Sequence, residues 1–245
     1  MTPLEALVHR LKGTWRDHAP HLWWGDAVDA RFLVADTLRR LNHVDVLDVG
    51  CGAGVLLSEV AATNVRVGID RSTEAIQLAR RLDPALRLSR ADMLALPFQG
   101  ATFDVVIFCG MLEVPQREQK AQAVRELARV LRPGGQLLLT TPNRRYPRYR
   151  GHDLMVTYEE LQGLLRSYFD VRIRGFNPFL PFPYFLPNSL LARIPGIWRI
   201  LVALMERDIG TRSGCAFLVN AVKRSGGHPA PPKSEDEAEV RACVR

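Results

Sequence analysis

Between positions 45 and 222, short and mainly apolar runs alternate with stretches whose apolar residues recur every three or four positions. The runs are Val46-Leu47-Asp48-Val49, Val65-Arg66-Val67-Gly68-Ile69-Asp70, and residues 86–89, 103–109, 136–140, 171–175 and 214–222. So few polar positions per run suit strands that a parallel sheet buries on both faces. The intervening stretches read as helices. In residues 72–82, Ala75, Ile76 and Ala79 share a face behind Ser72 as N-cap. In residues 117–131, Ala121, Val124, Leu127 and Val130 do the same, and Arg132-Pro133-Gly134-Gly135 supplies the stop. Residues 55–60 and 158–168 are expected to be helical as well. This alternation predicts an α/β fold, a Rossmann-like seven-stranded and mostly parallel sheet with helices on both faces, over residues 45–224. Ahead of it, Leu4, Leu7, Val8 and Leu11, then Phe32, Leu33, Ala35, Leu38 and Leu41, keep helical spacing and predict an N-terminal helical cap over residues 1–44.

Candidate chemistry begins where the first strand ends. Gly50, Gly52 and Gly54 remove three side chains within five residues. Glycines so placed allow a tight turn with positive φ and let a ligand lie against the backbone. A helix starting at Val55 would aim its unpaired N–H groups at that ligand. Asp70 closes the second strand twenty positions after Gly50, where an acid can accept hydrogen bonds from a ribose diol. A dinucleotide fold wants a third glycine where Val55 stands.

With these residues the chain resembles the class I S-adenosylmethionine-dependent methyltransferases, in particular those of ubiquinone and menaquinone biosynthesis. Their first motif resembles Asp48-Val49-Gly50-Cys51-Gly52-Ala53-Gly54, and their late motif resembles Leu131-Arg132-Pro133-Gly134-Gly135-Gln136-Leu137-Leu138. The resemblance implies S-adenosyl-L-methionine as cofactor and a strand order of 3-2-1-4-5-7-6. It implies that Asp48, Gly50, Cys51, Gly52 and Gly54 border the methionyl part, and that Asp70, with Arg71 beside it, holds the ribose. It further implies that Asp92 and Met93 take the adenine, and that Cys109, Gly110 and Met111 flank the methyl side. Members often read Leu-Glu-His-Val after the fourth strand, with the histidine as a candidate base. Here Leu112-Glu113-Val114-Pro115 omits it. The Asn-Pro-Pro-Tyr of amine and nucleobase methyltransferases is missing too. Because chains of this shape resemble quinone-biosynthesis and natural-product O-methyltransferases, O-methylation of a small or lipid-like acceptor is the expectation. C-methylation of a lipid or polyketide, and a non-catalytic scaffold on the same fold, stay open beside it.

The acceptor side rests on less specific features. The basic, aromatic stretch of residues 143–153 follows the fifth strand, on the rim where open α/β sheets bind ligands. Arg148 and Tyr149 are candidate substrate contacts there, and His152 is the candidate general base. Trp23 and Trp24 in the cap either line the acceptor or pack the cap onto the domain. Residues 176–209 form an apolar, proline-broken arm with Phe182 and Phe185. Too broken to span a bilayer, the arm builds an acceptor pocket, rests on a membrane surface or buries an oligomer contact.

Composition changes this picture little. A net charge of +7 comes from basic residues in small scattered groups, with no nucleic-acid recognition motif among them. Four cysteines stand far apart without metal-ligand spacing, so no metal site is expected, and reduced thiols point to the cytoplasm, with membrane association left open. Residues 225–245 turn to Gly, Pro, Ser and charge, the composition of a disordered tail.

Overall fold

The computed structural model describes residues 34–35, 37–146, 149, 151–176, 212 and 214–225. Nearly all of the expected tail, cap and arm, with Trp23, Trp24, Phe182 and Phe185, lie outside them, and so does Arg148.

Seven strands form one sheet: β1 (Asp45–Val49), β2 (Val65–Asp70), β3 (Arg87–Arg90), β4 (Phe103–Cys109), β5 (Leu131–Pro142), β6 (Phe169–Phe176) and β7 (Ala216–Lys223). Their order is 3-2-1-4-5-7-6, as the resemblance implies. Strands β3, β2, β1, β4 and β5 run parallel, and β7 lies antiparallel between β5 and β6. Chain direction thus leaves the carboxyl ends of β1 to β4 side by side on one edge. The chain departs from the sheet at Phe176 and returns at Ala216, directly opposite it in register.

Because successive strand residues face opposite sides, the sheet feeds two cores. Leu47, Val106, Phe108, Leu137, Leu139 and Val219 meet one layer of helices, α2 (Lys120–Val130) and α3 (Tyr158–Arg166). Val46, Val105, Ile107, Leu138 and Leu218 meet Ile76 of α1 (Thr73–Leu82), together with Val34 and Leu38 in the helical residues that precede the sheet. Ser72 caps α1 by accepting the Ala75 N–H at 3.0 Å. Thr157 and Glu160 form a reciprocal capping box on α3.

Two local expectations need correction. Residues 55–60 form no α-helix: turns lead to a single 3-10 turn, Leu57–Glu59, and Val60 is already extended. Val55, Leu56, Leu57, Glu59 and Val60 are all buried and only Ser58 is partly exposed, so the segment has too little solvent face to be amphipathic. Ser58 also turns its hydroxyl back onto the Gly54 carbonyl, and Glu59 reaches Arg39 at 2.7 Å. The second correction concerns β5, which begins at Leu131 rather than at Gln136. A register shift against β4 absorbs Arg132-Pro133-Gly134-Gly135 into the strand, and Arg132 forks between Asp45 (2.8 Å) and Asp104 (2.6 Å). The late motif is thus a clamp on the amino ends of β1 and β4, remote from the ligand edge.

Candidate functional site

The sheet's parallel order assembles the expected cofactor residues at its carboxyl edge. Asp92 and Met93 follow β3; Asp70 and Arg71 end β2; Asp48 lies in β1, with Gly50, Cys51, Gly52 and Gly54 after it; Cys109, Gly110 and Met111 close β4. The glycine loop has left-handed backbone at all three glycines, with φ of 80°, 53° and 74°. Space around them differs. A Cβ at Gly50 would stand 2.3 Å from the Met111 sulfur, so Met111 rests on the Gly50 backbone. A Cβ at Gly54 would meet Leu86 at 2.8 Å, whereas one at Gly52 would meet nothing within 4 Å. Gly52 therefore faces open space, and Gly50 lies under a movable thioether.

Four donors of this loop are spent within the protein. Gly50 and Cys51 give their N–H groups to the Ile69 carbonyl (2.8 and 2.9 Å), Gly54 gives its own to Cys51, and Gly52 donates to Asp70 Oδ2 at 2.9 Å. The expected helix N-terminus is absent, and recognition falls instead to carboxylates and to shape. Asp70 also accepts the Ser72 N–H on Oδ1 at 2.9 Å. Two backbone bonds hold that carboxylate still, and each oxygen keeps acceptor capacity for a ligand hydroxyl. Asp92 accepts the Leu94 N–H at 2.9 Å and lies 4.0 Å from Arg71, both side chains being open to solvent. Met93 is buried in the core beneath. Burial, followed by the charges of Asp48 and Asp70, pushes the Cys51 thiol far up, so it stays protonated and unreactive.

An adenosyl group with a zwitterionic amino-acid tail fits this set: a half-exposed acid for the adenine side, an anchored carboxylate for a ribose diol, and a side-chain-free floor at Gly52. Such a group would be held by Asp70, Asp92 and the glycine loop, with Met111 at its far wall.

Across the edge, at the ends of β4 and β5, polar side chains pair with each other. Thr141 donates to Glu113 at 3.2 Å. Asn143 is buried and gives its amide to the carbonyls of Arg212 (3.2 Å) and Gly214 (2.7 Å), tying the end of β5 to the start of β7. Glu160 receives Arg117 and Arg144, the latter at 2.7 Å, along with the Thr157 N–H. Tyr149 is buried against the rings of Tyr146 and His152, at 6.0 and 6.4 Å. His152 is exposed, and its N–H donates to the Tyr149 carbonyl at 3.1 Å. Sequence reading did not find the Glu160 network or the Glu113–Thr141 contact. Only the capping box Thr157-x-x-Glu160 was there to be read.

Residues 46–135 match a family model described as a methyltransferase domain. The ubiquinone biosynthesis O-methyltransferase of Aromatoleum aromaticum is 33% identical over 148 residues, which cover 53% of this chain and 61% of that protein. A probable S-adenosylmethionine-dependent methyltransferase of Mycolicibacterium smegmatis is 38% identical over 113 residues, 43% of this chain and 42% of the other. The chain thus spans about three fifths or less of the length of these relatives. Among solved structures, a Haloferax volcanii methyltransferase in complex with the Trm112 activator covers 92% of this chain and 97% of its own at TM-score 0.62 and 18% identity. The [4+2]-cyclase SpnF covers 91% and 93% at TM-score 0.60 and 25% identity. Family model, strand order and glycine-loop geometry agree: over residues 46–135 this chain matches a methyltransferase domain, on the sheet expected of the S-adenosylmethionine-dependent class.

Proposed function

We propose that the protein transfers the methyl group of S-adenosylmethionine to a small or lipid-like acceptor by O-methylation. The observation that carries the reading is the open floor at Gly52 beside an Asp70 carboxylate already pinned by two backbone N–H groups. When bound, S-adenosylmethionine supplies a methyl carbon activated by a positive sulfur. The chain's own task is positioning, and alignment at near contact is worth several kcal/mol of barrier, up to about 10 in well-oriented cases. Asp70 and Asp92 fix the adenosyl side, while Met111 and the residues after β4 face the acceptor. Identity to ubiquinone biosynthesis O-methyltransferases supports oxygen as the acceptor atom. His152, exposed on the rim, is the candidate base for a hydroxyl that does not ionise unaided.

Mass spectrometry of ligands co-purifying with the protein tests the cofactor; S-adenosylmethionine or its demethylated product is expected. Calorimetry with either compound showing no binding at millimolar concentration would overturn the reading. The apolar arm is tested by replacing Phe182 and Phe185 with serine. In an acceptor pocket the pair costs turnover and spares cofactor affinity. Loss of liposome sedimentation instead marks a membrane surface. A collapsed thermal midpoint marks ordinary core, since two buried Phe truncations cost about 3–5 kcal/mol each.

A further inference from the structure

Lys120 is placed against its chemistry. It is 3% exposed and opens α2, where the helix dipole disfavours a cation. Its ammonium answers this burial by reaching two main-chain acceptors, the carbonyl of Leu112 and, at 3.1 Å, that of Pro115. Both belong to the loop joining β4 to the 3-10 turn Arg117–Gln119. The loop opens with Gly110 in left-handed backbone, its N–H on the Thr140 carbonyl, and with Met111 lying on Gly50. Glu113, bonded to Thr141, stands between the two carbonyls that Lys120 gathers.

We propose that Lys120 is a positioning residue of the cofactor site: by drawing together the Leu112 and Pro115 carbonyls it fixes the loop that sets Met111 over Gly50. The inference rests on the assignment of the glycine loop as the cofactor site. It goes further in making the pocket's methyl-side wall depend on a buried charge that no part of the ligand touches. Burial pushes the ammonium down from 10.5 to about 8; Glu113, Glu160 and Glu118 favour its charge, and Arg117 opposes it. Those neighbours come from the loop, the 3-10 turn and α3, and the window from about pH 7 to about pH 9.5 brackets the lysine's own value. Across that window the clasp loses its own proton, and a neutral amine holds carbonyls less strongly than an ammonium.

The test is calorimetry with 5′-methylthioadenosine, which carries adenine, ribose and a methyl-bearing sulfur but no amino group to titrate. For the wild type, affinity is expected to fall about fivefold from pH 7 to pH 9.5. Lys120→Met is expected to bind about tenfold more weakly at pH 7, with a flat profile. Lys120→Arg keeps its charge and is expected to recover affinity, again with a flat profile. A merely structural lysine would lower the thermal midpoint on substitution and leave the pH profile of binding unmoved. A flat wild-type profile, or Lys120→Met binding with wild-type affinity and slope, overturns the proposal. Should Lys120→Met fail to fold, the wild-type and Lys120→Arg profiles decide by the same criteria. A wild type that binds neither methylthioadenosine nor S-adenosylmethionine at any pH overturns the cofactor assignment itself, an outcome distinct from binding without pH dependence.

Discussion

The two halves of the sheet's ligand edge are built in opposite ways. Around β1 and β2 the site is backbone: three left-handed glycines, N–H groups spent on Ile69 and Asp70, and one carboxylate held by main chain. Around β5 and β7 long-range side chains do the joining, Glu160 tying two arginines and Asn143 tying two segments far apart in sequence. A backbone site depends on a few adjacent residues and admits one shape. A side-chain site depends on long-range partners, so its parts can be exchanged as long as charge and size balance. The first design suits a ligand that never changes, the second a ligand that differs between relatives.

Substitutions at matched glycines break this comparison most sharply. Gly52 and Gly151 both have left-handed backbone, and a Cβ on either meets nothing within 4 Å. Alanine at each should cost about 1 kcal/mol of stability from the backbone alone. Only Gly52→Ala should also abolish cofactor binding, by a factor on the order of 100 or more, since its Cβ fills the floor the ligand needs. Calorimetry on the two variants separates them; equal affinities would remove Gly52 from the site. Asp70→Ala comes next. It removes an acceptor of the Gly52 and Ser72 N–H groups as well as the ribose contact, and about 1–3 kcal/mol of cofactor binding should go with it.

At the β5 and β7 end, Glu160→Gln should cost about 2 kcal/mol of stability, measured by urea unfolding. Burial opposes charge on Glu160, yet the Thr157 N–H, Arg117 and Arg144 together hold its carboxyl below the usual range. That stabilisation is fully present above the unfolded value of about 4.3 and is lost as pH falls through the lower folded one. Glu160→Gln should accordingly flatten the acid limb of the stability profile. Lys120 acts in the other direction. Between about pH 8 and 10.5 the unfolded chain keeps a proton that the folded chain has released, so this group makes stability rise with pH across that window. Lys120→Met should remove the rise. The smallest effect is expected at Arg71→Ala, within about 0.5 kcal/mol, because its partner Asp92 is 4.0 Å away and both are solvated.

The same contrast explains what could be read from the chain. The strands and the glycine loop were legible because each rests on a local pattern, an apolar run or a glycine spacing, whereas the strand order was implied only by the family resemblance. The failed helix at residues 55–60 shows the limit of periodicity, for the apolar positions are real but all of the segment except Ser58 is buried. The strand start at Leu131 was hidden by Pro133, Gly134 and Gly135, which punctuate a chain until a bulge accommodates them. Arg117, Arg144 and Glu160 lie up to 43 residues apart and follow no period, so only the fold brings them together. Lys120 was indistinguishable from any surface lysine on an amphipathic helix.

The pairing of Phe176 with Ala216 has a further consequence. The sheet is closed before the chain leaves it and again as soon as the chain returns, at two points facing each other across one rung. Whatever lies between them is therefore an insertion whose length the sheet does not sense, since loop closure costs only about 0.6 kcal/mol for each doubling of length. Asn143 fastens the returning end to β5 through Arg212 and Gly214, so the socket carries its own latch. A domain arranged in this way tolerates changes of length between β6 and β7 without disturbing the strand order that assembles its carboxyl edge.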